Sequence, residues 1–360
     1  MTMLTISGVA IQAVTAALPS RLVTLDDFAE LFGAKEVARI AKSTGIQSIR
    51  EAKSLHTSDL IIAACRNLLD QGLFSAHEID GLIVVTQTPD SWVPGVGFIV
   101  QQELGLPQHC LVLNVTAGCS GYVSALVQAG ALISAGACKK VLLCTGDVTT
   151  KLLDERDRHV KMLFGDAASA TLLEPGKGSF EFMCGADGSG RDALESDIAY
   201  AKDEDSHVSA TIQCLRMDGT AVMNFALNRV PQTIRALLHA TGLSPASLDL
   251  LVLHQANEFM LNYLRRMIGV APEKMPVDID GVGNTSSTSI PIALSRHNAI
   301  GTPQAEHVVL CGFGAGLSWG ALRVDLQHTL AVPPCYVSEK AQHLIPSDKQ
   351  LEGAGERLQA

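Results

Sequence analysis

Bulky aromatic side chains and positive charge are scarce in this sequence. Phe, Trp and Tyr together make up 4% of the 360 residues, while glycine occurs 31 times. A core of small side chains lets strands and helices approach closely, which suits layered α/β packing. No apolar run reaches the roughly 18 residues of a membrane-spanning helix, so no membrane partner is expected. The first thirty residues lack a basic start followed by an unbroken apolar stretch, so no secretory signal is expected. Lys and Arg number 27 against 37 Asp and Glu, a net charge of −10, which argues against nucleic acid and anionic lipid as partners. The nine cysteines contain no CxxC pair and are odd in number. That pattern points to reduced thiols in a cytoplasmic setting, with no disulfide framework and no metal site. Most read as buried small hydrophobes, and Cys119 alone has neighbours that suggest more.

Hydrophobic residues make up 47% of the chain, enough for two domains or one double-sized unit. An internal repeat favours the second. Residues 58–87 read as a helix, a turn and a strand, and residues 228–257 read the same way. Each helix carries a Leu four residues before a closing Gly, Leu68 with Gly72 and Leu238 with Gly242, a pattern suited to a C-terminal cap. An Asp introduces each strand, Asp80 or Asp249, and a second apolar strand follows at 139–147 and at 306–314. Continuous apolar runs of this kind indicate strands covered on both faces. The expected organisation is two α/β halves, residues 1–175 and 176–330, with 331–360 as a polar, proline-bearing surface tail.

Three segments carry chemistry-bearing residues. In residues 111–136 a strand runs through Gly118 into Cys119 and then a helix. A helix N-terminus favours thiolate, although a buried cysteine at a tight turn accounts for the same pattern. His254 closes a strand in LLVLHQAN, where a satisfied structural histidine is the plainer reading. Asn284 follows two glycines in DGVGNTSSTS and by itself reads as a turn or cap residue. Taken together, Cys, His and Asn at successive strand ends can converge across two halves of a duplicated fold.

These three segments, with TGI at 44–46, LFGDAASA at 163–170 and GFGAGLSWGA at 312–321, resemble the thiolase-superfamily condensing enzymes. The resemblance is strongest to the β-ketoacyl-acyl-carrier-protein synthase III group and extends to about residue 326. It implies an α/β thiolase-like fold, a layered α-β-α-β-α core, and a homodimer. It further implies that Cys119 takes an acyl group from a coenzyme A or carrier-protein thioester. Backbone N–H groups of Cys119 and Ala315 would then hold the oxyanion. His254 and Asn284 would bind a malonyl thioester and stabilise the enolate formed as carbon dioxide leaves, with no metal or redox cofactor. By the same resemblance, Phe164, Met217 and Met223 belong to the acyl pocket, and Val93, Asn257 and Phe259 to substrate contacts. Arg265 and Arg266 would meet an acidic carrier protein, or stand as solvated helix charges.

Several positions depart from the family pattern. Gln47 follows TGI where a basic residue is usual, and Phe259 stands where Arg is common. Val93 replaces an aromatic gate residue, which points to longer or branched acyl primers, and Trp92 beside it suits a stacking contact or a subunit interface. Specialised metabolism, polyketide or otherwise, therefore competes with housekeeping fatty acid synthesis. The alternative activity is transfer of the Cys119-bound acyl group to a non-malonyl acceptor. A silent partner subunit and a thiolytic enzyme are disfavoured: the triad is intact, and Cys311 lies inside an apolar strand.

Overall fold

The structure, a computed structural model, describes residues 2–202 and 208–339. Its principal strands are β1 (Leu4–Pro19), β2 (Gly81–Val85), β3 (Leu111–Val115), β4 (Val141–Asp147), β5 (Ala167–Ala186), β6 (Leu250–Leu253), β7 (Val308–Gly314) and β8 (Ser318–Val324). The helices that cover them are α1 (Ala34–Thr44), α2 (Thr57–Asp70), α3 (Val96–Glu103), α4 (Gly121–Ser134), α5 (Gly219–Thr241), α6 (Glu258–Ile268) and α7 (Ser289–Arg296). No helix among the described residues is long and apolar enough to cross a membrane.

Strand periodicity decides the layering. In β2 and β4, Ile83, Val85, Val141 and Leu143 pack on α4 and α7 together with Leu250, Val252, Val308 and Leu310 of β6 and β7. Their alternates Leu82, Val84, Leu142 and Cys144 pack outward against α2 and α3. On the far side, Leu251, Leu253, Val309 and Cys311 pack against α5 and α6. Side chains alternate across a strand, so each sheet layer has an inner and an outer helix cover. The result is the expected α-β-α-β-α order, with α4 and α7 in the middle.

The repeat seen in the sequence has structural counterparts. β2 runs parallel to β4 with Gly81 opposite Val141, and β6 runs parallel to β7 with Leu250 opposite Val308. Gly72 and Gly242 follow their helices at φ of 69° and 72°, the left-handed conformation a glycine cap supplies. Asp80 accepts the backbone N–H groups of Lys139 and Lys140, at 2.8–2.9 Å. Asp249 does the same for Glu306 and His307, at 3.1 and 2.8 Å. In both halves, therefore, the acid that opens one strand ties down the start of its parallel neighbour. The helix of the second copy is longer than its sequence pattern suggested, starting at Asp218, whose side chain caps Thr220 and Ala221, and continuing through Pro231.

The two halves share strands. β5 pairs with β4 through Ala167–Leu173 and with β8 through Glu181–Ala186, while β1 pairs along most of it. The expected boundary between 175 and 176 thus falls inside β5. The start of the expected tail also belongs to the fold. Leu330–Ala331 and Cys335–Val337 pair in parallel with β1, Val332 is buried, and Glu339 accepts the N–H groups of Lys53 and Ser54. Polar, proline-bearing sequence concealed strands too short to show periodicity. Residues 340–360 lie outside the described residues.

Asp80→Ala and Asp249→Ala should each lower unfolding free energy by about 1–2 kcal/mol, because each leaves backbone donors without their acceptor. Urea denaturation should show similar losses for both variants, and Asn at either position should recover part of the loss.

Candidate active site

The chain between β3 and α4 turns sharply, with Gly121 N–H bonded to the Gly118 carbonyl at 2.7 Å, and this sets Cys119 at the foot of α4. Its thiol is buried. From the other half, Gly314 at the end of β7 backs directly onto it. A Cβ at Gly314 would lie 2.7 Å from Cys119 Cβ and 3.0 Å from Sγ, so a side chain there would crowd the thiol. Ser120 Oγ contacts Ser318 Oγ at 2.7 Å, and Ser318 Oγ donates to the Ala315 carbonyl at 2.7 Å. These bonds hold the Ala315 loop beside the nucleophile turn.

His254 follows β6, with its N–H on the Cys311 carbonyl at 2.8 Å and its ring edge-on to Phe313, centroids 5.4 Å apart. Its Nδ1 lies 2.8 Å from Ser289 Oγ. Asn284 is held through its backbone by Leu163 and Gly165, at 2.8 and 3.1 Å. Asn284 Oδ1 accepts the Ser286 N–H at 3.0 Å, which occupies its carbonyl oxygen and leaves the amide Nδ2 as the donor. The turn role that its sequence context suggested is therefore also present.

Ser286 joins all three. It adopts φ of 51°, the only non-glycine residue at positive φ among the described residues. Its N–H binds Asn284, and it stands close enough to the other groups to shift their pKa values, its backbone acting on the His254 imidazole and its hydroxyl on Cys119 and Asp147. Asp147, the last residue of β4, is buried and takes the Gln87 N–H at 2.7 Å and the Ser287 hydroxyl at 3.0 Å. Neither Ser286 nor Asp147 was singled out in the sequence. The signal available for the first was the unbroken hydroxyl run after Asn284; a lone Asp ending an apolar strand offered none.

Burial dominates the electrostatics. It pushes the Cys119 thiol up to about 12, reinforced by the Asp147 charge and opposed by the Ser286 hydroxyl and a backbone N–H. Burial thus opposes the thiolate that the helix N-terminus favours. A rise from 9 corresponds to roughly 4 kcal/mol, more than the ~0.3–2 kcal/mol that a helix dipole supplies. Burial also lowers His254 to about 3 and raises Asp147 to about 6, the latter against its hydrogen bonds from Gln87, Ser286, Ser287 and Thr86.

A cavity of about 320 Å³ opens at Cys119, with Ser286, Ala315 and Phe164 near it and Trp92, Leu152 and Leu215 among its other walls. His254 and Asn284 do not line this cavity.

Family comparison agrees with this geometry. Residues 113–188 match the model for 3-oxoacyl-(acyl-carrier-protein) synthase III, and residues 238–326 match the model for its C-terminal part. The chain is 35% identical over 316 residues to the β-ketoacyl-(acyl-carrier-protein) synthase III of Streptococcus mutans serotype c, covering 86% of this chain and 96% of that relative. The chain belongs to the 3-oxoacyl-(acyl-carrier-protein) synthase III family. It superposes on the 3-oxoacyl-(acyl-carrier-protein) synthase of Burkholderia xenovorans LB400 with a TM-score of 0.85 at 34% identity, over 93% of this chain and 99% of that one. The priming β-ketosynthase of the R1128 polyketide pathway gives 0.78 at 27% identity, over 89% and 98%. The thiolase-like fold read from the sequence is the fold observed.

Other expected contacts of this synthase III family member fall elsewhere. Phe164 and Ala315 border the cavity, whereas Met217, packed in one cluster with Phe164 and Leu215, and Met223, on α5, do not line it. Both were placed by analogy along the chain, and neither faces the thiol's cavity. Val93 is 86% exposed and lines no part of it, whereas Trp92 does. Asn257 caps α6 through the Met260 N–H at 2.8 Å, and Phe259 lies exposed against Tyr263. Arg265 bonds the Val270 carbonyl and Arg266 the Asn262 carbonyl, and with Lys42 they border a surface hollow.

Because burial raises its pKa, Cys119 stays a neutral thiol at pH 7, and its thiolate fraction should climb about tenfold per pH unit towards 12. Iodoacetamide alkylation followed by peptide mass spectrometry should show a rate still rising between pH 8 and 10. A plateau near pH 7 contradicts this. Gly314→Ala should slow that alkylation at every pH without unfolding the protein.

Proposed function

We propose that this enzyme is a decarboxylating condensing enzyme whose covalent intermediate is an acyl thioester on Cys119. The observation that carries the reading is the convergence of Cys119, His254 and Asn284 on Ser286, at the end of a cavity, in a synthase III fold.

In the first half-reaction Cys119 Sγ attacks the carbonyl carbon of an acyl thioester. The oxyanion is met by the N–H groups of Cys119 and Ala315, one such donor being worth about 3–4 kcal/mol of barrier. The tetrahedral adduct collapses, the carrier's sulfur leaves with the bonding electrons and takes up a proton, and the acyl group stays on Cys119. In the second half-reaction a malonyl thioester places its carbonyl oxygen against His254 and Asn284. The bond to the carboxylate breaks, carbon dioxide departs, and the electron pair forms an enolate held by those two donors. The enolate carbon attacks the acyl-Cys119 carbonyl and leaves as a β-ketoacyl thioester, and the expelled Cys119 sulfur keeps the bonding electrons and takes up a proton from solvent to restore the thiol. A neutral imidazole suits this step, since it donates a hydrogen bond without adding a proton to the enolate. No metal or redox cofactor enters the sequence of steps.

The cavity supports an apolar acyl chain larger than acetyl. Several of its polar lining groups are already engaged: Thr57 with Thr88 (2.6 and 3.1 Å), Asp90 with Ser58 (2.5 and 3.0 Å), Lys151 with the Leu55 carbonyl (2.6 Å) and Glu195 with Arg216 (2.7 Å). Trp92, Leu152, Phe164 and Leu215 supply the remaining contact. The hollow bordered by Lys42, Arg265 and Arg266 suits an acidic carrier protein. β3 ends the main sheet path with Leu111 exposed, an edge that a second copy of the chain would cover. Nine unbridged cysteines suit the cytoplasm.

Intact-mass spectrometry after exposure to a panel of acyl-coenzyme A and acyl-carrier-protein donors should show one acyl adduct, with medium chains outcompeting acetyl. Cys119→Ala should show none. His254→Ala should still acylate, yet release carbon dioxide from malonyl thioester roughly 100-fold more slowly. Normal condensation by that variant would move the donor role elsewhere.

A further inference from the structure

We propose that Ser289 is the positioning residue that holds His254 as the tautomer with its proton on Nε2. The proposal rests on the donor role of His254 given above, and names what sets it.

Ser289 opens α7 and is 2% exposed. Its Oγ lies 2.8 Å from His254 Nδ1 and 3.3 Å from the backbone nitrogen of Gln255. A backbone N–H only donates, so the Ser289 oxygen accepts from Gln255. The hydroxyl has a single proton to give. Given to Nδ1, it makes Nδ1 the acceptor, and the ring proton must then sit on Nε2, the nitrogen left to donate. In the opposite arrangement Nδ1–H donates to Ser289, which already accepts from Gln255. The Ser289 proton is then left without an acceptor at a site closed to water, and buried polar groups rarely tolerate that. The first arrangement satisfies the Ser289 hydroxyl; the second leaves its proton unpaired.

The placement also couples the two donors. Asn284 and Ser289 lie five residues apart on one segment, so the chain that presents the Asn284 amide also orients His254. Phe313, edge-on to the ring at 81°, resists its rotation. Ser289 does not touch the cavity at Cys119, so its effect falls on the second half-reaction alone.

The test compares Ser289→Ala and Ser289→Thr with the wild type, in protein labelled with 15N-histidine. In the wild type, long-range proton–nitrogen spectra should show His254 with a pyridine-like Nδ1 and a pyrrole-like Nε2. The signals are assigned by their loss in His254→Ala. Ser289→Ala should lose that pattern and slow condensation about 10- to 100-fold. Its acylation at Cys119 should be unchanged, which also reports an intact fold. Ser289→Thr should restore both tautomer and condensation. A protonated Nδ1 in the wild type overturns the proposal, as does a Ser289→Ala protein that keeps both the tautomer and the condensation rate. If the wild type acylates but releases no carbon dioxide from malonyl thioester, the proposed function fails, and the nitrogen spectra still judge Ser289 independently.

Discussion

The left-handed backbone of Ser286 is the constraint on which the site depends. A non-glycine residue at φ of 51° costs roughly 1–3 kcal/mol and persists only when its surroundings over-determine it. Here they do. Asn284 Oδ1 holds the N–H, while His254, Cys119 and Asp147 crowd round closely enough for Ser286 to shift the pKa of each. In an ordinary helical or extended conformation, Ser286 could not address residues from both halves at once. The strain is local, and what it secures is the meeting of a thiol from one half with an imidazole and an amide from the other.

A second consequence is that the site keeps its thiol and its imidazole neutral. Desolvation raises Cys119 and Asp147 and lowers His254, and in each case it outweighs the hydrogen bonds that act the other way. Neutrality is costly for a nucleophile and useful for a donor. The thiol must lose its proton in the course of attack, whereas the imidazole is already in the form that binds a carbonyl oxygen and, later, an enolate. This division fits a site whose charge appears only transiently and whose preorganised dipoles are ready when it does.

Much of this was legible in the sequence because it rests on local pattern. The Leu68–Gly72 and Leu238–Gly242 caps, the Asp80 and Asp249 strand starts, and the apolar strands around them all have the roles that their spacing suggested. Cys119 and His254 were readable because each closes an apolar run with a group that needs a partner, and Asn284 because it follows two glycines and opens a hydroxyl-rich run. Long-range effects were not readable. The thiol's raised pKa depends on burial supplied by Gly314, which lies 195 positions away in the chain. The pocket's outline is likewise long-range: Trp92 lines it, whereas Met217 and Met223, expected there by resemblance, do not. Residues 330–337 join β1 through strands of two and three residues, too short for any period to register.

The duplication explains why one half supplies the nucleophile and the other the donors. β4 and β7 are both seven residues long, and their last residues, Asp147 and Gly314, occupy matching ends of matching strands. Each reaches across to the start of the opposite central helix: Asp147 to Ser286 and Ser287 ahead of α7, Gly314 to Cys119 ahead of α4. The crossing is reciprocal, but the chemistry is not. A glycine at one strand end leaves room for a reactive thiol, and a carboxylate at the other anchors the hydroxyls that shape the Asn284 turn. A symmetric pair with glycine at both ends would leave those hydroxyls unanchored. Carboxylates at both would place a charge against the thiol and raise its pKa further. The asymmetry at this single pair of positions is therefore enough to turn two copies of one unit into a nucleophile half and a donor half.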